Sequence, residues 1–146
     1  MTVALSGKEV AAKVEQKFPE SIIESDDQSI VVKSESLFDL ISYLKTTPDF
    51  EFNYLNDITA VDYLDYFDVV YHITSMVKNH SLVVKTRCKG RENLSVPSIV
   101  GLYKGANSQE RELYDLMGIS FEGHPNLKRI FMWEGFQGHP LRKDYL

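Results

Sequence analysis

Two segments in the first half of the chain carry apolar residues at helical spacing. Ser6 and Glu9 have the spacing of a capping box, and the apolar positions behind them predict a helix over about residues 7–17. A second helix is predicted to begin at Ser36 and to end at Thr47, which precedes a proline. Its apolar positions recur at i, i+3, i+4 and i+7, and they are Leu37, Leu40, Ile41 and Leu44.

The middle of the chain alternates between apolar and polar residues, which is typical of β-strands. Residues 22–23 and 30–32 flank an Asp-Asp-Gln turn and predict a short hairpin. Longer strands are predicted over residues 52–62, 67–73 and 81–88, and we expect them to form an antiparallel meander. One face of the middle strand is apolar throughout, with Phe67, Val69, Tyr71 and Ile73.

The last helix that the sequence predicts is capped by Asn107 and ends at Gly118, since glycine favours the left-handed position after a helix. Its apolar stripe predicts that Glu110, Arg111 and Asp115 point outward. A short helix is also expected to start near Pro97.

The final 28 residues differ in character from the rest. Residues 119–146 contain three glycines and two prolines and show little periodicity, so we expect an extended arm. The sequence therefore predicts an α/β domain of the α+β type over residues 1–118, with helices packed on a mixed, mainly antiparallel sheet. The irregular C-terminal interface arm, 119–146, is not a separate domain.

Composition narrows the classes of function. The chain has 146 residues, a net charge of −5 and no basic stripe, so nucleic acid is not expected as a partner. The single cysteine, Cys88, excludes an internal disulfide and any site that needs two thiolates from this chain, including a four-cysteine iron–sulfur cluster. No apolar run approaches the ~18–20 residues of a membrane span, so no direct span is expected.

The arm contains two similar triplets, Gly123-His124-Pro125 and Gly138-His139-Pro140. The two imidazoles would be metal ligands or an acid–base pair, assisted by Glu134, Asp115 or Asp144, in a stand-alone enzyme. Alternatively, each imidazole forms a hydrogen bond with nearby backbone or with a carboxylate and fixes a turn. Fifteen irregular residues between the histidines match no metal-ligand spacing, so we assign no catalytic, cofactor-binding or metal residue to this chain.

Arginine and aromatic residues are concentrated in the same arm, which is the composition of an interface core. We expect Trp133, Phe136 and the guanidinium groups of Arg129 and Arg142 to be buried against a neighbouring subunit. Alternatively, the arm packs back on its own domain. The candidate residues are Glu110, Arg111, Glu112, Asp115, Gly118, Gly123, His124, Pro125, Arg129, Trp133, Phe136, Gly138, His139, Pro140, Arg142, Lys143 and Asp144.

Three stretches of this region carry a resemblance to a known family. They read ERELYDLMGI over 110–119, FEGHPNLKRI over 121–130 and GFQGHPLRKDY over 135–145. This ordered signature closely resembles the C subunit of NADH-quinone oxidoreductase, which is the thirty-kilodalton subunit of respiratory complex I. Weaker likeness extends upstream to about residue 50. The family usually continues the last stretch with proline, whereas Leu146 follows here.

The resemblance implies a non-catalytic structural subunit in the peripheral arm of complex I, on the cytoplasmic side of the cell membrane. It implies a hetero-oligomer in which the chain docks to the D-type (quinone-site) subunit, near the B-type subunit. NADH or another donor, FMN, iron–sulfur clusters and quinone are expected in other subunits, with none bound by this chain. A docking subunit of a related energy-converting hydrogenase or F420H2 dehydrogenase is the alternative.

Overall fold

Three helices and eight strands build the chain in the computed structural model, which describes residues 2–90, 92–133 and 137–143. The helices in these residues are α1 (Gly7–Lys17), α2 (Leu37–Thr46) and α3 (Ala106–Met117), with a 3₁₀ turn at Ser34–Ser36 before α2. The strands are β1 (Val3–Ala4), β2 (Ile22–Ser25), β3 (Ser29–Val32), β4 (Tyr54–Asp62), β5 (Tyr66–Ser75), β6 (His80–Lys89), β7 (Ser95–Pro97) and β8 (Ser120–Glu122).

The main sheet has six strands in the order β2-β3-β6-β5-β4, with β1 also paired to β6. Strands β4, β5 and β6 form the predicted antiparallel meander, and β2 and β3 form the predicted hairpin. The mixed character comes from β3 and β1, which both run parallel to β6. The α+β fold with a mixed, mainly antiparallel sheet is confirmed.

One hydrophobic core joins the sheet to all three helices. The apolar face of β5 is fully buried, as its alternation predicted. Every second side chain of a strand points to the same face of the sheet, so the alternating apolar residues all reach the core. The α2 stripe is fully buried as well, at Leu37, Leu40, Ile41 and Leu44. Among the described residues, none of the helices combines the length and the apolar character that crossing a bilayer requires.

Two local predictions around α3 were wrong. The segment near Pro97 forms strand β7, which pairs in parallel with β8, so the arm begins with a strand. Three residues are too few to show a strand period, and the pairing partner lies about 25 residues away in the chain. The helix begins at Ala106 with Gly105 at its N-cap, so Asn107 lies inside the first turn. The preceding turn, in which Ala106 N–H bonds Tyr103 O, leads directly into the helix.

Candidate functional site

Two carboxylates on α3 are buried, although the sequence predicted that they point outward. Glu110 and Asp115 both have 0% exposed surface. The prediction failed because helical periodicity assigns charged residues to the solvent side unless partners distant in sequence satisfy them. Arg111, the third residue of that prediction, is half-buried.

Glu110 binds the segment that follows β7. Its carboxylate accepts hydrogen bonds from Ser98 Oγ at 2.6 Å and from the backbone N–H of Ile99 at 2.9 Å. Burial raises the pKa of Glu110 above its ordinary value, and the two hydrogen bonds only partly offset that effect. Glu110 therefore has a structural role in joining α3 to the core.

Asp115 binds the backbone of the arm. Its Oδ2 accepts hydrogen bonds from the N–H groups of Ile130, Phe131 and Met132 at 3.2, 2.7 and 2.9 Å. Arg129 Nε lies 3.1 Å from Oδ1 as an ion-pair contact without the alignment of a hydrogen bond. Burial alone would raise the pKa of Asp115, but the three N–H donors and Arg129 lower it below its ordinary value.

The arginines of the signature bind backbone carbonyls of this chain. Arg111 donates to the carbonyl oxygens of Lys128 and Arg129, and Arg129 Nη2 donates to Gly138 O. Arg142 Nε donates to Met117 O at 2.6 Å, where a cation satisfies a carbonyl at the C-terminus of α3. These guanidinium groups attach the arm to α3, as in the alternative where the arm packs on its own domain.

The two histidines also bind α3, at well-separated points. His124 Nδ1 accepts from Asn126 N–H, so its Nε2 carries the proton and donates to Asn107 O at 3.1 Å. His139 Nδ1 donates to Asp115 O at 2.9 Å. These carbonyls are eight residues apart, about 12 Å along a helix, so the imidazoles do not form an acid–base pair. Each fixes a turn, which is the alternative that the sequence left open.

The predicted assisting residues Glu134 and Asp144, like Phe136, lie outside the described residues. Within the described parts of the chain, no group of three or more histidine, cysteine, aspartate or glutamate side chains is arranged to hold a metal ion.

Gly118 allows the arm to approach α3 closely. It has φ +75°, and a Cβ atom there would lie 2.7 Å from His139 Cδ2 and 2.8 Å from Arg142 Nη2. The glycine predicted as the helix end therefore also creates the contact surface for His139 and Arg142. By contrast, Gly123 has φ +85° but open space around it.

The remaining candidates lie at or near the surface. Glu112 and Pro140 are half-buried, and Pro125, Gly138 and Lys143 are exposed. Asp62, at the end of β4, was not among the predicted residues, although its Oδ2 accepts a hydrogen bond from the backbone N–H of Lys143 at 2.8 Å. Asp62 was missed because the local sequence, an aspartate beside aromatic residues, does not indicate a hydrogen-bond partner that lies 81 residues later in the chain.

The arm exposes several large apolar side chains. Trp133 is 68% exposed and Phe131 is 58% exposed, and Leu141 and Ile130 are exposed too. The backbone N–H groups of residues 130–132 bind Asp115, while the side chains of Ile130 and Phe131 are exposed. The fold and this site define the protein as an α+β domain that presents a backbone-anchored aromatic arm on its surface.

Comparison with known proteins then identifies the family. Residues 30–146 match the family described as the respiratory-chain NADH dehydrogenase, 30 Kd subunit, and the chain belongs to this family. The NADH-quinone oxidoreductase C subunit of Dinoroseobacter shibae is 44% identical over 99% of this chain and 69% of its own. The corresponding protein of a Roseiflexus species is 40% identical over 97% of this chain and 85% of its own.

A solved structure supports the fold. It is a chain of the membrane-bound sulfane sulfur reductase, an archaeal respiratory membrane complex, with a TM-score of 0.76. The match covers 94% of this chain and 84% of that chain at 23% sequence identity, which shows a shared fold alone.

Proposed function

We propose that this chain is a non-catalytic structural subunit of a complex I-type NADH-quinone oxidoreductase and docks to the D-type subunit through its arm. The B-type subunit is then a near neighbour, in the peripheral part of the complex on the cytoplasmic side of the cell membrane. FMN, iron–sulfur clusters and quinone belong to other subunits. The chain supports electron transfer to quinone and coupled proton translocation by holding those subunits in place.

The observation that carries the proposal is the exposure of Phe131 and Trp133 on a segment whose backbone is held by the buried Asp115. Asp115 accepts three consecutive N–H groups, which fixes the backbone of residues 130–132 with little dependence on their side chains. Large aromatic side chains in such a setting add little to the core, and tryptophan is enriched among the residues that dominate binding energy at interfaces.

The non-catalytic part of the proposal is supported by how the ionisable residues of the signature are used. Glu110 and Asp115 have no exposed surface, and both accept hydrogen bonds from backbone N–H groups. His124 and His139 bond helix carbonyls. Each of these groups has a structural partner of its own, which favours a scaffold over a reaction centre.

The proposal is tested by co-expressing the tagged chain with the D-type subunit of the same organism. The double variant Phe131→Ser/Trp133→Ser is expected to recover much less D-type subunit than the unaltered chain. Met76→Ser/Val77→Ser is the matched control, since both residues are 67% exposed in the turn between β5 and β6. Equal recovery with both double variants would refute docking through the arm.

The same capture from the native organism distinguishes the related complexes. Recovery of a quinone-site D-type subunit with an NADH-oxidising partner supports the proposal. Recovery of a nickel-binding large subunit instead would place the chain in an energy-converting hydrogenase.

A further inference from the structure

The turn between β4 and β5 exposes two large apolar residues. We define residues 62–66 as the hairpin tip. In it, Leu64 is 54% exposed and Tyr63 is 45% exposed. Neither residue was among the candidates that the sequence predicted.

Leu64 is in an unusual conformation for its residue type. It has φ +72°, a left-handed conformation that is sterically strained for a leucine and natural for glycine or asparagine. The other non-glycine residues with positive φ among those described are all polar, namely Glu20, Glu51, Asn79 and Asn93. Backbone strain of this kind occurs frequently at functional sites, and Leu64 combines it with an exposed apolar side chain.

The hairpin tip is held rigidly. Tyr63 N–H donates to Tyr66 O at 2.9 Å, and Leu64 N–H donates to Asp62 Oδ1 at 2.8 Å. The Tyr63 and Tyr66 rings lie 5.0 Å apart, and Arg87 covers the Tyr66 ring at 4.4 Å. Because these contacts fix the turn, Leu64 is presented at one position on the surface.

Asp62 connects the hairpin tip to the arm. Its side chain is buried, and its two oxygens serve different segments, with Oδ1 accepting from Leu64 and Oδ2 from Lys143. The neighbouring Arg142 guanidinium lies 5.2 Å from the centre of the Phe67 ring at the start of β5. The hairpin tip and residues 142–143 of the arm are therefore in direct contact.

We propose that the hairpin tip is a second part of the docking surface, and that the same partner that covers the arm also covers Leu64 and Tyr63. This inference rests on the function proposed above, because its occupant is the same D-type subunit. The contact through Asp62 supports that occupant, because Lys143 binds Asp62 and a partner that covers the nearby exposed Leu141 would lie close to the hairpin tip. The part of the partner that meets Leu64 is expected to be apolar.

The decisive variant is Leu64→Asn, because asparagine tolerates the left-handed conformation and removes the apolar side chain. We expect unchanged or higher thermal stability of the isolated chain, together with about tenfold weaker binding to purified D-type subunit. Met76→Asn, at the opposite end of the sheet, is the control and is expected to leave the affinity unchanged.

The outcomes separate this inference from the proposed function. If Leu64→Asn binds normally and the Phe131→Ser/Trp133→Ser variant binds weakly, the proposed docking through the hairpin tip is overturned and docking through the arm is retained. Normal binding of both variants overturns both proposals. If Leu64→Asn does not fold, Leu64→Gly tests the same point, since glycine adopts positive φ without strain.

Discussion

The backbone N–H of Phe131 donates a 2.7 Å hydrogen bond to Asp115, a residue with no exposed surface, while most of the Phe131 side chain faces solvent. The backbone of Phe131 is thus bound to the interior of the domain, whereas its ring is exposed to solvent. This division predicts that stability and partner binding can be altered separately in the arm.

Asp115→Ala is expected to lower the free energy of unfolding by about 3 kcal/mol, because three N–H groups lose their buried acceptor and Arg129 loses its ion-pair partner. Urea denaturation of the isolated chain measures this loss. Asp27→Ala, an exposed residue in the β2–β3 turn, is the control and should change stability by less than about 0.5 kcal/mol. Similar small losses for both variants would contradict the anchoring role.

Gly118→Ala is expected to destabilise the chain more than Gly123→Ala, although both glycines have positive φ. We expect about 2 kcal/mol at position 118 and about 1 kcal/mol at 123, since only the first Cβ meets His139 and Arg142. Thermal or urea unfolding gives both values. In a His139→Ala background the penalty of Gly118→Ala should shrink. An undiminished penalty would show that the contact with His139 adds nothing and that the cost comes from backbone strain or from the contact with Arg142.

Glu110→Gln is expected to change the pH dependence of stability. The raised pKa means that the folded state retains this proton to higher pH than the unfolded state does. The contribution of Glu110 to the stability of the folded state is therefore largest below its pKa in the unfolded chain, about 4.5. This contribution is lost as the pH rises through the higher pKa of the folded chain. Urea denaturation at about pH 4 and pH 7 should show the unaltered chain losing stability relative to Glu110→Gln as pH rises. The opposite trend would mean that hydrogen bonds outweigh burial at this residue.

Cys88 is expected to react slowly with thiol reagents in the folded chain. It is buried, and burial with the nearby Asp68 charge raises the pKa of its thiol to about 11 from 9.0. The thiolate fraction near pH 8 is then about 100-fold lower than in the unfolded chain. Alkylation followed by mass measurement, with and without urea, tests this difference. Comparable rates in both conditions would show that the β6 end is open to solvent.

The regular elements were largely predictable, because their signals are local. The α2 stripe and the apolar face of β5 follow from periods of 3.6 and 2, and both are buried as expected. The glycine after α3 was also placed correctly, with φ +75° at its C-cap. By contrast, β7 and β8 escaped prediction because each has three residues and depends on the other for pairing.

The contacts that the signature residues make could not be predicted from the sequence. The signature singled out Asp115, Arg129 and Arg142, yet the sequence could not show that all three bind within the chain. Asp62 was missed altogether, since its partner Lys143 is 81 residues away.

The sequence by itself determined the family, the α+β class and the aromatic, arginine-rich arm, because these depend on residue identity, order and short-range period. The tertiary structure decided which side of the arm faces inward. Burial of Glu110 and Asp115 requires backbone N–H donors from segments that lie 11 to 17 residues away in the sequence. Asp62 likewise binds both Leu64 and Lys143, which are far apart in the sequence. Such contacts are properties of the folded chain, since long-range hydrogen bonds leave no period in the residues that make them.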